Sequence, residues 1–435
     1  MKKRKALTVL LTGVMIAGLT ACGGNGKEKK QEDSSKEGEI TYKVSTYYGG
    51  ESTDFAEFAA EKLKEKYPNV TLEFETHPQD GGKTLKARAA SGNLPDILLL
   101  DAGMIETFSE SGSILELDEY VEKFKIADYY NDEILENCLY SPDNHVYQFP
   151  MQSISPVLWY YNKAIFAQYG LEVPQNFDEL MNVIETLRKN NVIPMAMFGK
   201  EPWPMAAYFD SFALKANPEG CFALSKGEAK ASDEGFKKAI EKYEKTIQAG
   251  IFQDGVTNTD FDTAAAMFES SQTAMMINGY WYTNQAYSAL GDDLGIMTFY
   301  PTSDAGKEEE NKYAMVGSMN TCGMGVSENA ENPELAAEIA FWFSYYREVA
   351  NYQTTGLVTT PLRPEELTLD TELNPISKEL MEVLPNYTYK TKFVHTLPNT
   401  EFSTVFTEEL QKFVVGESAE EFIANVDKNI EKTTE

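Results

Sequence analysis

The chain is poor in the residues that perform most enzymatic chemistry. It has three histidines, His77, His145 and His395, isolated from one another, and none heads an HExxH pair. Its four cysteines, Cys22, Cys138, Cys221 and Cys322, form no CxxC, so zinc-site spacing is absent. With Cys22 set aside, at most one disulfide could form, and three buried free thiols are expected. No GxSxG nucleophile elbow occurs. Gly82-Lys83-Thr84 lacks the earlier glycine of a phosphate loop, which would fall at His77, and Gly323-Met324-Gly325 meets Glu328 where a third glycine belongs. Acids are numerous enough that a glycosidase pair is not excluded by counting, but no pair stands out. A non-enzyme with no metal and no cofactor is the expectation.

Positive charge is also scarce. Lys and Arg number 38 against 68 Asp and Glu, giving a net charge of -30. Such a chain is repelled by nucleic acid and by anionic lipid, so neither is an expected partner through charge. What is present in quantity is apolar and aromatic: 42% hydrophobic residues and 12% aromatic ones, over 435 residues. That length exceeds the ~250–300 residues at which single cores stop growing, so two lobes are expected.

Residues 1–21 read as a secretory signal, with MKKRK followed by the apolar ALTVLLTGVMIAG. The apolar segment is short for a permanent membrane span. It ends in Leu19-Thr20-Ala21-Cys22-Gly23-Gly24, which resembles the bacterial lipobox and marks Cys22 as a lipidated first residue of the mature chain. The polar residues 22–38 then form an expected disordered tether. The expected location is the outer side of a cell membrane, or the periplasm, by a lipid anchor.

Beyond the tether, Ile40, Tyr42, Val44 and Thr46 alternate as in a strand that ends at the aromatic pair Tyr47-Tyr48. A helix with Phe55, Phe58, Ala59 and Leu63 on one face follows, then an alternating strand at Val70, Leu72 and Phe74. Ile97 to Leu100 is a short continuous apolar run, the mark of a strand buried on both faces. Asp101 at its end is placed either to bind a ligand or to cap the next helix. This βαβαβ rhythm predicts an α/β fold with right-handed crossovers. Asn176 with Glu179 predicts a capped helix start, and Phe236, Ile240, Tyr243 and Ile247 another helix closed by Gly250. Asn332-Pro333 opens a helix over Glu334–Phe343, and the C-terminal hundred residues read as mostly helical.

The most informative stretch is Phe268–Trp281, FESSQTAMMINGYW. Met275, Met276 and Ile277 predict a buried strand, and Asn278-Gly279 a sharp turn with positive φ. Tyr280, Trp281 and Tyr282 follow at the strand end, where ligands sit in α/β domains.

Several windows together resemble the sugar-binding group of solute-binding lipoproteins that serve bacterial ATP-binding-cassette importers. They are Tyr47-Tyr48, NLPDI from Asn93, VYQFP from Val146, WYYNK from Trp159 and YGLEVPQNFDEL from Tyr169. AMMINGYW from Ala274, NPELA from Asn332 and TTGLVTTPLRP from Thr354 complete the series, which spans Ile40 to the C-terminus. The chain departs from the pattern at Ser271-Gln272, where the family usually has glycine, and at Phe177, where tryptophan is common.

The resemblance implies a two-lobed periplasmic-binding-protein-like fold (type II), with parallel or mixed sheets and a ligand cleft at a hinge. It places the crossovers near Met151, Phe299–Pro301 and Tyr345, dividing the chain into 39–151 plus 301–345 and 152–300 plus 346–435. It implies Trp281 as a platform under a sugar ring and Trp203 as a second. Tyr280, Tyr47, Tyr48, Asp101 and Arg363 are implied as further contacts. The implied partners are a carbohydrate, an oligosaccharide by preference, and the importer's permease subunits, the protein itself being a monomer. A receptor of the same fold for a polyamine, amino acid or metal complex stays open, as do a secreted glycosidase and an adhesin.

Overall fold

The computed structural model describes residues 38–434, apart from 48–50, 79, 81, 142, 152–154, 318–321, 357–359, 364–366, 370–371 and 389–390. The leader, Cys22, most of the tether and Tyr48 therefore lie outside the described residues. From Glu39 onward the chain forms one compact unit. Its strands, among the described residues, are β1 (Ile40–Thr46), β2 (Val70–Thr76), β3 (Ile97–Leu100), β4 (Phe149–Pro150), β5 (Val157–Asn162), β6 (Ile193–Ala196), β7 (Thr273–Gly279), β8 (Leu294–Met297) and β9 (Gly323–Val326).

They make two mixed sheets, in the orders β2-β1-β3-β9-β4 and β6-β7-β5-β8. In the first, β1 is parallel to β2 and β3, with Val44 opposite both Phe74 and Ile97, while β9 runs antiparallel to β3. The continuous apolar run of β3 is explained by two covered faces. Ile97 and Leu99 join a core with Tyr42, Val44, Phe149 and Phe341, whereas Leu98 and Leu100 pack with Leu85, Met104 and Phe108. The helix Glu51–Lys66 lies along the long helix Pro333–Thr355, and Lys66 Nζ sits 4.2 Å from the Trp342 ring centroid.

In the second sheet every residue of β7 is buried, and Trp159 of β5 stacks on Tyr208 at 5.3 Å. Tyr208 belongs to the helix Pro202–Ala216, which is buried from Pro204 to Leu214. Asn176 caps the helix Phe177–Lys189 as the sequence predicts. Its Oδ1 accepts the Glu179 N–H at 3.1 Å, and Glu179 reaches back to the Gln175 N–H at 2.8 Å. Cys138, Cys221 and Cys322 are buried thiols, none of them joined in a disulfide.

The chain leaves the first sheet after β4 and joins the second at β5, and residues 300–316 pack with the second core. Tyr300 donates to the Val157 carbonyl at 2.7 Å, Thr302 donates to Ser211, and Ala314, Met315 and Val316 belong to the second core. The helix expected to end at Phe343 continues through Tyr345 to Thr355, stopped by Gly356 at φ 62°. Leu362 still packs in the first core. Two passages run side by side: the Met151 N–H donates to the Cys322 carbonyl at 2.9 Å and the Ser155 N–H to the Gly317 carbonyl at 3.2 Å.

Candidate functional site

Trp281 is one of the few large apolar side chains left open, at 43% exposure. The reason lies two residues earlier. Gly279 does not make the positive-φ turn expected of Asn278-Gly279: its φ is -71°, and it extends β7 opposite Val157. Glycine is needed there because the Trp281 indole lies across it. A Cβ at Gly279 would come within 2.2–2.3 Å of three ring carbons. Backbone and ring are thus stacked, and the other ring face points outward.

Around that face the structure gathers aromatic rings. Trp203 lies 5.8 Å from Trp281, and Phe393 lies 5.9 Å from Trp203 and 6.3 Å from Trp281. Tyr280 meets Trp281 edge-on at 5.7 Å but is itself buried. Trp203 occupies the first turn of its helix, near the N-cap residue Glu201. Burial raises the Glu201 carboxyl above its ordinary value, partly offset by the nearby Trp203 indole and the Phe261 N–H. Phe393 was missed by sequence reasoning, since it sits outside any strand in a stretch without periodicity. His395, 5.4 Å from Phe393, leads from the rings to the facing lobe.

There an open cleft of about 310 Å³ is lined by Asp80, Lys86, Asp101 and Gly103 from the first lobe and by Lys200, His395, Thr400 and Gln411 from the second, among others. Asp101 caps the helix Ala102–Glu110, accepting the Met104 N–H at 2.9 Å, yet it also lines this cleft. Of the two roles weighed for it in the sequence, the cap is the one this hydrogen bond makes; the side chain also borders the cleft. Burial pushes its carboxyl up to about 6, against the Met104 and Gly103 N–H groups and Lys86, which pull it down. Tyr47, at the end of β1, meets the His77 ring edge-on at 6.2 Å and faces Cys322 Sγ at 3.9 Å.

The site contains polar atoms that the described protein atoms leave unsatisfied: His77 Nδ1, Asp80 Oδ1 and His395 Nδ1. Buried polar groups are nearly always paired, so these three atoms near the cleft are available to water or to a ligand. Burial holds both histidines down to about 4, and the charge of His77 further opposes protonation of His395. His77 follows β2 directly, so the strand-end rule that selected Tyr47 would have found it. Arg363 is placed elsewhere. Its guanidinium donates to the Ala127 carbonyl at 3.1 Å and to Asp132 at 2.8 Å, tying a loop to the first lobe's own helices.

An α/β protein of two lobes, with an open tryptophan platform and unpaired polar groups at a cleft, is by construction a ligand-capturing protein. The sequence profile of the bacterial extracellular solute-binding protein family matches residues 49–344, more than half of the chain, and the chain belongs to that family. An ABC transporter extracellular-binding protein of Pyrococcus horikoshii, itself uncharacterized, is 26% identical over 304 residues, covering 67% of this chain and 67% of that protein. A multiple sugar-binding protein of Streptococcus mutans is 23% identical over 283 residues, 62% of each chain. Among solved structures, a chitin oligosaccharide binding protein superposes with a TM-score of 0.78 at 18% identity, covering 91% of this chain and 99% of that one. The expected two-lobed fold is thereby established.

Proposed function

We propose that this protein captures a carbohydrate of more than one ring between its lobes and delivers it to the permease of an ABC importer, without chemically altering it. The carrying observation is the outward face of Trp281, held flat on Gly279 and flanked by Trp203. Pyranose rings present C–H faces that rest on indole faces, while their hydroxyls seek fixed acids, amides and bases at the rim. Asp80, Asp101, Lys86 and Gln411 supply such groups in the adjoining cleft. The sugar-binding relatives point the same way.

The cleft lining speaks against a polycation receptor. Its carboxylates, Asp80, Asp101 and Glu408, are matched by the ammonium groups of Lys83, Lys86 and Lys200, so the -30 of the whole chain is not focused there. We place the lobes at residues 39–151 plus 322–362 and 155–317 plus 374–434, with the paired passages at Met151–Cys322 and Ser155–Gly317 as the hinge. Closure about that hinge is the signal the permease reads. Cys22 anchors the chain by a lipid to the outer face of the membrane.

A thermal-shift screen of the mature chain against oligosaccharides, polyamines, amino acids and metals tests this. A ligand at 100 times its Kd adds about 2.7 kcal/mol of apparent stability. A shift with an oligosaccharide, and recovery of that glycan intact by chromatography, is the expected outcome. A shift with a polyamine alone overturns the ligand class, and cleaved glycan overturns the non-catalytic reading.

A further inference from the structure

The helix Pro202–Ala216 has a second pocket at its other end. Trp203 stands in its first turn and Lys215 in its last, roughly 18 Å away along the axis at 1.5 Å per residue. A cavity of about 230 Å³ opens there, lined by Lys215, Lys238, Lys242 and Lys307 against Asp304 and Glu310, with the hydroxyl residues Thr302 and Ser303. Four ammonium groups around one small cavity are unexpected in a chain of net charge -30.

These lysines are unequally compensated. Lys242 pairs with Asp304 at 2.6 Å and Lys238 with Glu234 at 2.8 Å. Lys215 has no carboxylate partner among the described residues. Its Nζ donates to the Asn311 carbonyl at 2.9 Å and the Lys312 carbonyl at 3.4 Å, which order the ammonium without neutralising it. Lys307, exposed on the acidic loop, forms no close ion pair among the described residues, although its charge helps hold the Asp304 carboxyl down. Burial first, and then the charges of Lys242 and Lys312, hold the Lys215 ammonium down to about 8. Two of those three causes are positive neighbours, but Lys242 is paired with Asp304 and Lys312 with Glu309 at 2.8 Å, so Lys215 and Lys307 are the bases at the cavity without an ion pair among the described residues. A half-buried ammonium held only by carbonyls is relieved by an anion that brings several acceptors at once.

We propose that this pocket binds a small tetrahedral oxyanion, phosphate or sulfate, with Lys215 as the inner contact and Lys307 closing over it. Its cavity suits a small ion with some water, and its uncompensated bases supply the charge. Gly235, in the first turn of the helix Glu234–Gln248, also lines the cavity, so that helix start adds its partial positive charge without carrying the site alone.

Isothermal titration of the mature chain with sodium phosphate and separately with sodium sulfate, at pH 7 and constant ionic strength set with chloride, tests the site. One saturable site is expected, weakened at least tenfold in Lys215→Met and several-fold in Lys307→Gln, with glycan affinity at the far end of the helix unchanged. Lys307 is exposed, so its variant keeps the test valid if Lys215→Met does not fold. Heats no larger than those of chloride, or unaltered binding in Lys307→Gln, would overturn the proposal. An affinity that falls in step with glycan binding would place the anion in the cleft instead.

Discussion

Gly279 and Trp281 show how one residue without a side chain sets the chemistry of another. The indole rests on backbone that only glycine leaves bare, so ring orientation is fixed before any ligand arrives. Gly279→Ala puts a methyl group into the ring. The indole is partly exposed and can swing away, so a melting point within about 3 °C of wild type is expected. Glycan affinity should nonetheless fall at least tenfold, as read by titration calorimetry. His77 and His395 give a residue-scale prediction about pH. Their folded values lie near 4, below the ordinary 6.5, so the unfolded chain takes up protons first as pH falls. Stability conferred by these neutral rings is complete above pH 6.5 and is lost between 6.5 and 4. Urea midpoints measured across that window should fall less steeply in a His77→Gln, His395→Gln double variant than in wild type. Equal slopes would show that the histidines are solvated in the folded protein.

Among the elements, those with caps and clean periodicity were legible from sequence. Asn176 with Glu179, the alternation of β1 and the unbroken apolar β3 each became the element they announce, because burial and backbone pairing acted in the same direction. Asn176 also donates to Glu308 at 3.0 Å, so its cap fastens the acidic loop as well. Asn176→Ala should cost about 1–2 kcal/mol in urea denaturation. A loss below ~0.3 kcal/mol would mean that the helix start is held by packing alone. Less legible were the elements whose boundaries depend on tertiary contact. The helix from Pro333 was read as ending at Phe343, yet Tyr345, Tyr346 and Val349 go on packing against the first core until Gly356 ends it. Asn278-Gly279 carried a turn signal that strand pairing with Val157 overrode. Conversely, Ser271, standing where the resembled family usually has glycine, takes the left-handed φ of 59° all the same, with Asn162 donating to its hydroxyl at 3.0 Å.

At the scale of the whole molecule, Gly317 links fold to function. Its φ is 96°, and a Cβ there would lie 1.8 Å from the Ser155 carbonyl oxygen. Both conditions require glycine where the two passages touch. Gly317→Ala should destabilise by more than about 1 kcal/mol and change the angle between lobes, visible as an altered radius of gyration in solution scattering. The two-lobed α/β plan was readable because length, βαβ rhythm and ordered motifs agreed. Residues 301–317 have no periodicity to assign them to a lobe, and contacts such as Thr302 to Ser211 are what tie them to the second core. Of the candidate site, the sequence singled out Trp281 by its place after a strand and Trp203 through the family resemblance. Phe393, His395 and the orphaned nitrogens were not legible, because they become neighbours only when distant segments fold together.

The central claim, that Trp281 is the floor of a sugar site, is tested most directly by calorimetric titration of one oligosaccharide into wild type and Trp281→Ala. The account predicts saturable binding by wild type and a loss of roughly 2 kcal/mol or more, about thirtyfold, in a variant that melts within a few degrees of it. Equal affinity in the two proteins would contradict it.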